Sequence, residues 1–262
     1  MIVQSVVLTG AAGRVGSVLR EPLRRRVRRL TSIDRVPMVA QGPGEECVQA
    51  ELSGAGPLEP LVAGADAVVH LAGVPDEAPL PDLLDGNVLG THHVLEAARR
   101  QGVRRVVLAG SNRLTGCYPA AQTVSAEAPP RPDGLYGVSK VAAEALGRLY
   151  ADKFGLEVVC LRIGSLEPEP TEARHLATWL SPHDCAGFVW AALTCPEVSF
   201  RAAYAVSANT RRFWELDEHL GYRPRDDAET YRDRLPEPAA PAHRLQGGAY
   251  ATPEFTLPHI SA

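Results

Sequence analysis

The chain has 262 residues, 45% of them hydrophobic, with 27 Lys and Arg against 31 Asp and Glu and a net charge of −4. This is an ordinary globular composition, long enough for one α/β domain with a sizeable core, or for one domain and a small lobe. It gives no support for nucleic-acid binding, and no apolar run approaches the length of a membrane span.

Five cysteines, at positions 47, 117, 160, 185 and 195, form neither a CxxC pair nor a Cys/His cluster, so no metal site is expected. The odd count without a framework points to reduced thiols in the cytoplasm. Met1 leads almost directly into the first strand, and no signal peptide is expected.

In chain order, Ile2–Thr9 reads as a buried strand that runs into Gly10-Ala-Ala-Gly13-Arg-Val-Gly16. A helix is expected from after Gly13 to about Arg29. Its arginine run, Arg24-Arg-Arg-Val-Arg28-Arg29, reads as the solvated helix end rather than a phosphate-binding patch. Leu30–Asp34 and the short Cys47–Ala50 read as strands, and so does the β-branched Ala67–Leu71. Asp85–Gln101 reads as a helix ending near Gly102, and Val106–Ala109 as a strand. Tyr136–Phe154 reads as a long helix ending at Gly155, and Val158–Ile163 as a further strand. Pro and Gly cluster at 42–60, 74–81, 119–134 and 236–248, and the long 119–134 segment is expected to be a functional loop. Beyond Ile163 the pattern loosens. Residues 165–235 read as a small, mostly helical lobe, and the tail from Pro236 is expected to wrap the surface or a partner subunit.

The three glycines 10, 13 and 16 lie between a strand and a helix. At such a junction the first permits a tight turn, the second lets the backbone approach a pyrophosphate, and the third allows helix–strand packing. The anion then rests on the helix N-terminus. The spacing is Gly-x-x-Gly-x-x-Gly rather than Gly-x-Gly-x-x-Gly, so its placement carries the reading more than its pattern does. Asp34 ends the second strand, where a carboxylate accepts from ribose hydroxyls and repels a 2′-phosphate; NAD is therefore expected over NADP. Arg35 beside it has two readings, stacking on adenine or attracting a phosphate. The expected fold is α/β: a Rossmann-type, doubly wound parallel sheet with helices on both faces. Residues 1–164 would form the dinucleotide-binding core. Residues 165–262 would form a small substrate lobe and tail of the same compact unit.

Tyr136 and Lys140 stand four residues apart, one turn apart on one helix face. A lysine ammonium beside a phenol favours the phenolate, which makes Tyr136 a candidate general base. Alone the pair also reads as an exposed helix turn. With a dinucleotide loop in the same chain, it points to oxidation of an alcohol or the reverse.

With these residues placed, the chain resembles the short-chain dehydrogenase/reductase superfamily of the extended type, and it looks most like the uronate dehydrogenases over nearly its whole length. The general matches are Thr9-Gly-Ala-Ala-Gly13, His70-Leu-Ala-Gly73, Gly86-Asn87 and Ser111-Asn112. Further matches are Arg162-Ile-Gly-Ser165 and Thr178-Trp179, and more specific are Arg131-Pro-Asp-Gly-Leu-Tyr-Gly-Val-Ser-Lys140, Glu167-Pro168 with Ala173-Arg174, and Gln246-Gly-Gly248. The resemblance implies oxidation of a hexuronic acid at C1 to an aldarolactone, with NAD taking the hydride. It makes Tyr136 the base, Ser111 the hydrogen-bond partner of the reacting oxygen, and Lys140 the group that activates Tyr136 and binds the nicotinamide ribose.

The same resemblance assigns NAD contacts to Gly10, Ala12, Gly13, Arg14 and Val15, to Asp34 and Arg35, and to Glu51 and Leu52. It adds Leu71, Ala72, Gly73, Asn87 and Ile163, together with Tyr136 and Lys140. Arg174 would clamp the substrate carboxylate, and Asn112 and Ser165 would line the sugar site. Asn87 has a second reading as a bridge between helices, and His70 reads as a packed core histidine. Three positions depart from the family: Pro75 replaces a substrate-contacting serine, Arg113 a histidine, and Glu51 an aspartate near the adenine. Pro75 and Arg113 alter the sugar pocket, and two arginines near one sugar would favour a ligand with more negative charge. An epimerase or dehydratase of the same superfamily and a non-enzymatic dinucleotide sensor are the competing readings. The expected partner is a small acidic sugar, with no nucleic acid and no membrane, in a homo-oligomer.

Overall fold

A computed structural model describes residues 2–236 and 245–260. Its centre is a seven-stranded, all-parallel sheet in the order β3-β2-β1-β4-β5-β6-β9. In chain order the first elements are β1 (Ser5–Thr9), α1 (Arg14–Arg24), β2 (Arg29–Asp34), β3 (Glu45–Gln49), α2 (Ala55–Val62) and β4 (Ala67–His70). Then come α3 (Leu80–Leu83), a π-helical turn (Leu84–Leu89), α4 (Gly90–Arg100), β5 (Arg105–Ser111) and a 3-10 turn (Asn112–Thr115). The long α5 (Leu135–Phe154) and β6 (Glu157–Ile163) follow. After them come β7 (Ser165–Leu166), α6 (His175–Thr178), β8 (Trp179–Leu180), α7 (Pro182–Thr194) and β9 (Phe200–Ala205). The described chain closes with α8 (Pro253–Ile260).

The central strands are apolar on both faces, as a parallel sheet covered on both sides requires. Val6 and Leu8 point into one core with Leu19 and Leu23 of α1 and Phe188 of α7. Val7 and Val68 point into the other, with Leu95 of α4 and Tyr150 of α5. The order places β1 and β4 side by side at the point where the winding reverses, and the C-terminal ends of the strands open there into a crevice. No helix among the described residues is long and apolar enough to cross a membrane.

The elements differ from the sequence-based expectation in four places. α1 stops at Arg24, because the amides of Arg28 and Arg29 both donate to Gln4 O, at 2.8 and 2.9 Å, and draw the chain into β2. α2 forms despite Pro57 and Pro60; Pro57 sits in its first turn, where backbone N–H groups have no helical partner to lose. The helix expected at Asp85 begins at Leu80 and passes through the π turn. The segment expected to be a helical lobe supplies the seventh strand of the main sheet: β9 pairs with β6 from Val158↔Phe200 to Ile163↔Ala205, and α7 packs on α1. Ala202, Ala203 and Ala205 weaken its strand signal. The rest of that segment is short helices, the β7–β8 pair and loops. Of the tail, residues 237–244 lie outside the described residues.

One buried ion pair fixes α7 to the sheet. Arg105, 1% exposed, donates to Glu157 Oε2 at 2.6 Å and to the carbonyls of Ala192, Leu193 and Cys195 at 3.2, 3.1 and 2.7 Å. It thereby fills carbonyls that the end of α7 leaves open. Arg105→Ala is expected to lower unfolding free energy by about 3 kcal/mol, because acceptors and a carboxylate lose a buried cation. Urea unfolding measures it, and a change within about 0.5 kcal/mol, the range of ordinary surface substitutions, would show that the link is dispensable.

Candidate active site

The loop between β1 and α1 forms the floor of the crevice. Gly10 has φ +70°, and a Cβ there would lie 2.6 Å from Ala72 N. Both its conformation and its contact with the loop after β4 therefore require glycine. A Cβ at Gly16 would lie 2.3 Å from Gly10 O, so the turn of α1 packs directly on the loop. Asp34, at the end of β2, accepts from Ala12 N at 2.9 Å and from Val36 N at 3.2 Å, which fixes its carboxylate beside the glycine loop. This cradle fits a dinucleotide: a tight glycine turn that leads directly into the N-terminus of α1, where a pyrophosphate can rest, and a carboxylate at the end of β2 for a ribose. Arg35 and Glu51 are exposed beside it, and Leu52 is half-buried. Arg14 opens α1 and pairs with Glu167, while Val15 packs into the core beneath. Leu71 and Ala72 continue β4 along the rim, and Ile163 ends β6.

Ser111 ends β5 and Tyr136 stands in the first turn of α5, with Lys140 one turn later; all three are buried. The Ser111 hydroxyl accepts from Arg113 N at 3.2 Å. The Lys140 ammonium donates to Ala109 O at 3.1 Å and lies 5.7 Å from the centre of the Tyr136 ring. Ser111 at the end of β5 and the Tyr136/Lys140 turn of α5 lie on two elements that pack against each other. Asn87, in the π turn, takes the bridging role: it accepts from Val74 N at 2.8 Å, donates to Val74 O at 3.2 Å, and donates to Ser139 Oγ at 2.9 Å. His70 is the packed core histidine expected. It lies between the hydroxyls of Thr9 and Thr91, and burial, with the Lys140 charge adding to it, pushes its pKa down to about 3.

The two arginines have different fates. Arg113 donates to Asp133 at 2.7 Å, to Asp76 at 2.7 Å and to Glu77 at 3.0 Å. Burial opposes its charge, but those carboxylates outweigh the penalty and hold its pKa above the ordinary value. The expectation that Arg113 adds positive charge to the sugar pocket is therefore corrected: its charge is spent on the protein. Arg174 donates to Gln246 O at 3.0 Å and to Ser165 Oγ at 3.4 Å, and among the described residues it pairs with no carboxylate. Burial pulls its pKa below the ordinary value. The Tyr250 ring lies near both guanidiniums, its centre 4.5 Å from that of Arg113 and 5.4 Å from that of Arg174. Asn112 is buried beside Ser111, and Pro75 is exposed on the loop after β4.

The sequence reading missed Asp76 and Glu77, gave Asp133 no role within its quoted motif, and did not foresee Tyr250. The tail does return to this region: Gln246 N donates to Tyr118 O at 2.9 Å and Gly247 N to Gly116 O at 2.8 Å. His183, Asp184 and Asp226 also cluster, at the start of α7. Asp184 there already accepts from Tyr222 OH, Arg225 N and Asp226 N, so it holds the chain together locally.

A doubly wound sheet, a glycine cradle with Asp34, and a buried Ser/Tyr/Lys set define a dinucleotide-dependent oxidoreductase. Residues 6–183 match the model of the NAD dependent epimerase/dehydratase family, and the chain belongs to that family. It is 40% identical to the uronate dehydrogenase of Agrobacterium fabrum, over 94% of this chain and 96% of that one. It is 41% identical to that of Pseudomonas putida, over 94% and 95%. A solved structure of a mutant uronate dehydrogenase from Agrobacterium tumefaciens in complex with NAD superposes with a TM-score of 0.91 at 39% identity, covering 97% of this chain and 99% of that one.

His70 makes stability depend on pH. Its folded pKa, about 3, lies below the unfolded value near 6.5, so the unfolded state binds more protons between them. The stability it permits is complete above about pH 6.5 and declines as pH falls toward 3, by up to about 1.4 kcal/mol per unit. His70→Gln should flatten that part of the profile. Urea midpoints of both proteins at about pH 7 and about pH 5 check this, and equal losses would show that His70 contributes none of the acid sensitivity.

Proposed function

We propose that this protein oxidises the C1 hydroxyl of a hexuronic acid, in its pyranose form, to the aldarolactone. The observation that carries the reading is Arg174, a guanidinium drawn into the site with hydrogen bonds to Gln246 O and Ser165 Oγ but no carboxylate partner among the described residues. Such a cation is completed by a ligand carboxylate, for which its planar fork is suited. The names of the relatives support the same substrate class. With Arg113 spent on three carboxylates, one available guanidinium matches one substrate carboxylate, so a monoanionic sugar fits better than a more highly charged one.

NAD, held by the Gly10–Val15 loop and Asp34, would supply the hydride acceptor. The protein's own work is to orient the sugar and move one proton. Arg174 and Ser165 hold the carboxylate end, and Ser111 Oγ hydrogen-bonds the C1 oxygen. Tyr136 Oη takes the C1 hydroxyl proton, and the Lys140 ammonium stabilises the phenolate that results. We place the protein in the cytoplasm as a homo-oligomer. Five free cysteines support the first placement, and exposed Leu80, Leu84, Val138, Leu149 and Phe154 on α3, the π turn and α5 support the second.

Two substitutions separate the parts of this reading. Tyr136→Phe should lower kcat by ~10²–10⁴-fold while NAD binding persists. Retention of more than about a tenth of the rate, on that same scale, would remove Tyr136 as the base. Arg174→Ala removes a charge-assisted hydrogen bond worth roughly 1.5–3 kcal/mol. It should cut kcat/KM for glucuronate and galacturonate by about tenfold or more, with little effect on neutral aldoses. NADH absorbance reads both experiments. Wild-type protein that forms NADH with no uronate, together with a neutral Arg174→Ala, would defeat the substrate assignment.

A further inference from the structure

The catalytic helix begins without a cap of its own. The first amides of any helix lack intrahelical acceptors, and a side chain at the preceding residue normally supplies one. Here that residue is Gly134, which has no side chain. Its backbone is extended, at φ −177°, a conformation open to any residue. A Cβ there would lie 2.5 Å from Glu77 Oε2 and 2.9 Å from an Arg113 nitrogen, so a side chain would push the Glu77 carboxylate from its place.

Glu77 occupies the vacant capping position from a different part of the chain, 58 residues away. Its Oε1 accepts from Leu135 N at 2.7 Å, and its Oε2 accepts from Tyr136 N at 3.2 Å and from Arg113 NH2 at 3.0 Å. The carboxylate is 1% exposed. One of the amides it holds belongs to Tyr136 itself. The loop that carries Glu77 also carries Leu71, Ala72 and Gly73 on the cofactor rim.

We infer that Glu77 is a positioning residue for the reaction: its buried carboxylate caps α5 and fixes the Tyr136 phenol relative to the cofactor loop. The inference rests on the proposed role of Tyr136. Arg113 serves the same end, since it orients the Glu77 carboxylate and lies 5.3 Å from the centre of the Tyr136 ring. This gives the arginine at position 113 a task inside the protein rather than on the substrate.

The physical consequence is specific. A glutamine at position 77 keeps the shape but has one carbonyl oxygen for two amides, and its NH2 group faces the Arg113 donors. Helix α5 should still form, because its later turns are packed in the core, but its first turn should loosen. A displaced catalytic group of this kind costs on the order of ten- to a hundredfold in rate.

The experiment uses the full chain. Glu77→Gln and Glu77→Asp are compared with Asp76→Asn, which removes the charge of the exposed Arg113 partner but keeps the Oδ1 that accepts from Glu77 N at 2.7 Å, so the cap is retained. Both Glu77 variants should lose about ten- to a hundredfold in kcat, with NADH affinity, read by fluorescence, within about twofold of wild type; that change corresponds to under about 1 kcal/mol. Asp76→Asn should keep most of the rate. Wild-type kcat in both Glu77 variants would overturn the inference, and so would equal losses in kcat and NADH affinity. A second readout needs no variant and no activity: in the wild-type protein the amides of Leu135 and Tyr136 should exchange slowly with solvent, as capped amides do. Exchange at the rate of uncapped first-turn amides would overturn the inference even if every variant fails to fold. If these amides are protected but Tyr136→Phe keeps its rate, the cap stands and the role of Tyr136 fails, so the two outcomes are distinguishable.

Discussion

Arg113 offers its guanidinium to three carboxylates that arrive from two separate stretches of chain. Asp76 and Glu77 come from the loop after β4, and Asp133 comes from the segment that leads into α5. The arginine itself stands two residues past Ser111, and its backbone amide donates to the serine hydroxyl. Tyr250 and Phe255 of the C-terminal segment lie 4.5 and 5.2 Å from its guanidinium carbon, so that segment closes over the same group. A buried pair of this kind is weak evidence for stability, because desolvation offsets much of the attraction. Its value lies in geometry. A planar fork with fixed donor directions specifies how several segments meet, and here they meet beside Tyr136, 5.3 Å from its ring centre.

The charge balance of the cluster has a further effect. Three carboxylates surround one arginine, and burial pushes the Asp133 carboxyl up even though Arg113 partly offsets it. Among the described residues Asp133 Oδ2 has no hydrogen-bond partner, and a Cβ at Gly116 would lie 2.0 Å from it. Asp133 acts on both arginines: Arg113 donates to it, and its charge opposes the burial that lowers the pKa of Arg174, which makes no ion pair among the described residues. A histidine at position 113 could not satisfy three carboxylates at once, since it presents only two nitrogens. The arginine and its acidic partners therefore form one structural unit.

Much of this was legible in the sequence, for physical reasons that also explain the rest. Val6-Val7-Leu8 and Val106-Val107-Leu108 announce themselves because strands covered on both faces must be continuously apolar. Gly10 is legible because a left-handed turn packed on Ala72 tolerates nothing else. Tyr136 and Lys140 are legible because helical spacing alone places them on one face. Strand β9 was hidden because its alanines carry little strand preference, and α2 because its prolines resemble loop punctuation. The roles of Arg113 and Glu77 were hidden for a different reason. A charge read from sequence has a sign but no partner, and the partners here stand up to 59 residues away. Only the fold decides whether an arginine faces a ligand or a glutamate.

The segment from Leu71 to Glu77 shows how the two halves of the site are held in register. At one end Ala72 packs on Gly10 so closely that a Cβ would overlap it. In the middle Gly73 adopts φ +153°, and Asn87 Oδ1 occupies the place of the side chain that Gly73 lacks. The same Asn87 grips Val74 through both its amide and its carbonyl, then reaches Ser139 on α5. At the far end Glu77 holds the first amides of α5. One short strap is therefore fixed in turn to the glycine loop after β1, the π turn and the start of α5. Pro75 suits such a strap, since it restricts the backbone and gives up an amide. A general base works only if it meets the reacting oxygen at hydrogen-bond distance, and errors of an ångström are costly. Under the proposed role of Tyr136, a strap fixed at both ends would set that distance from within the protein, before either ligand arrives.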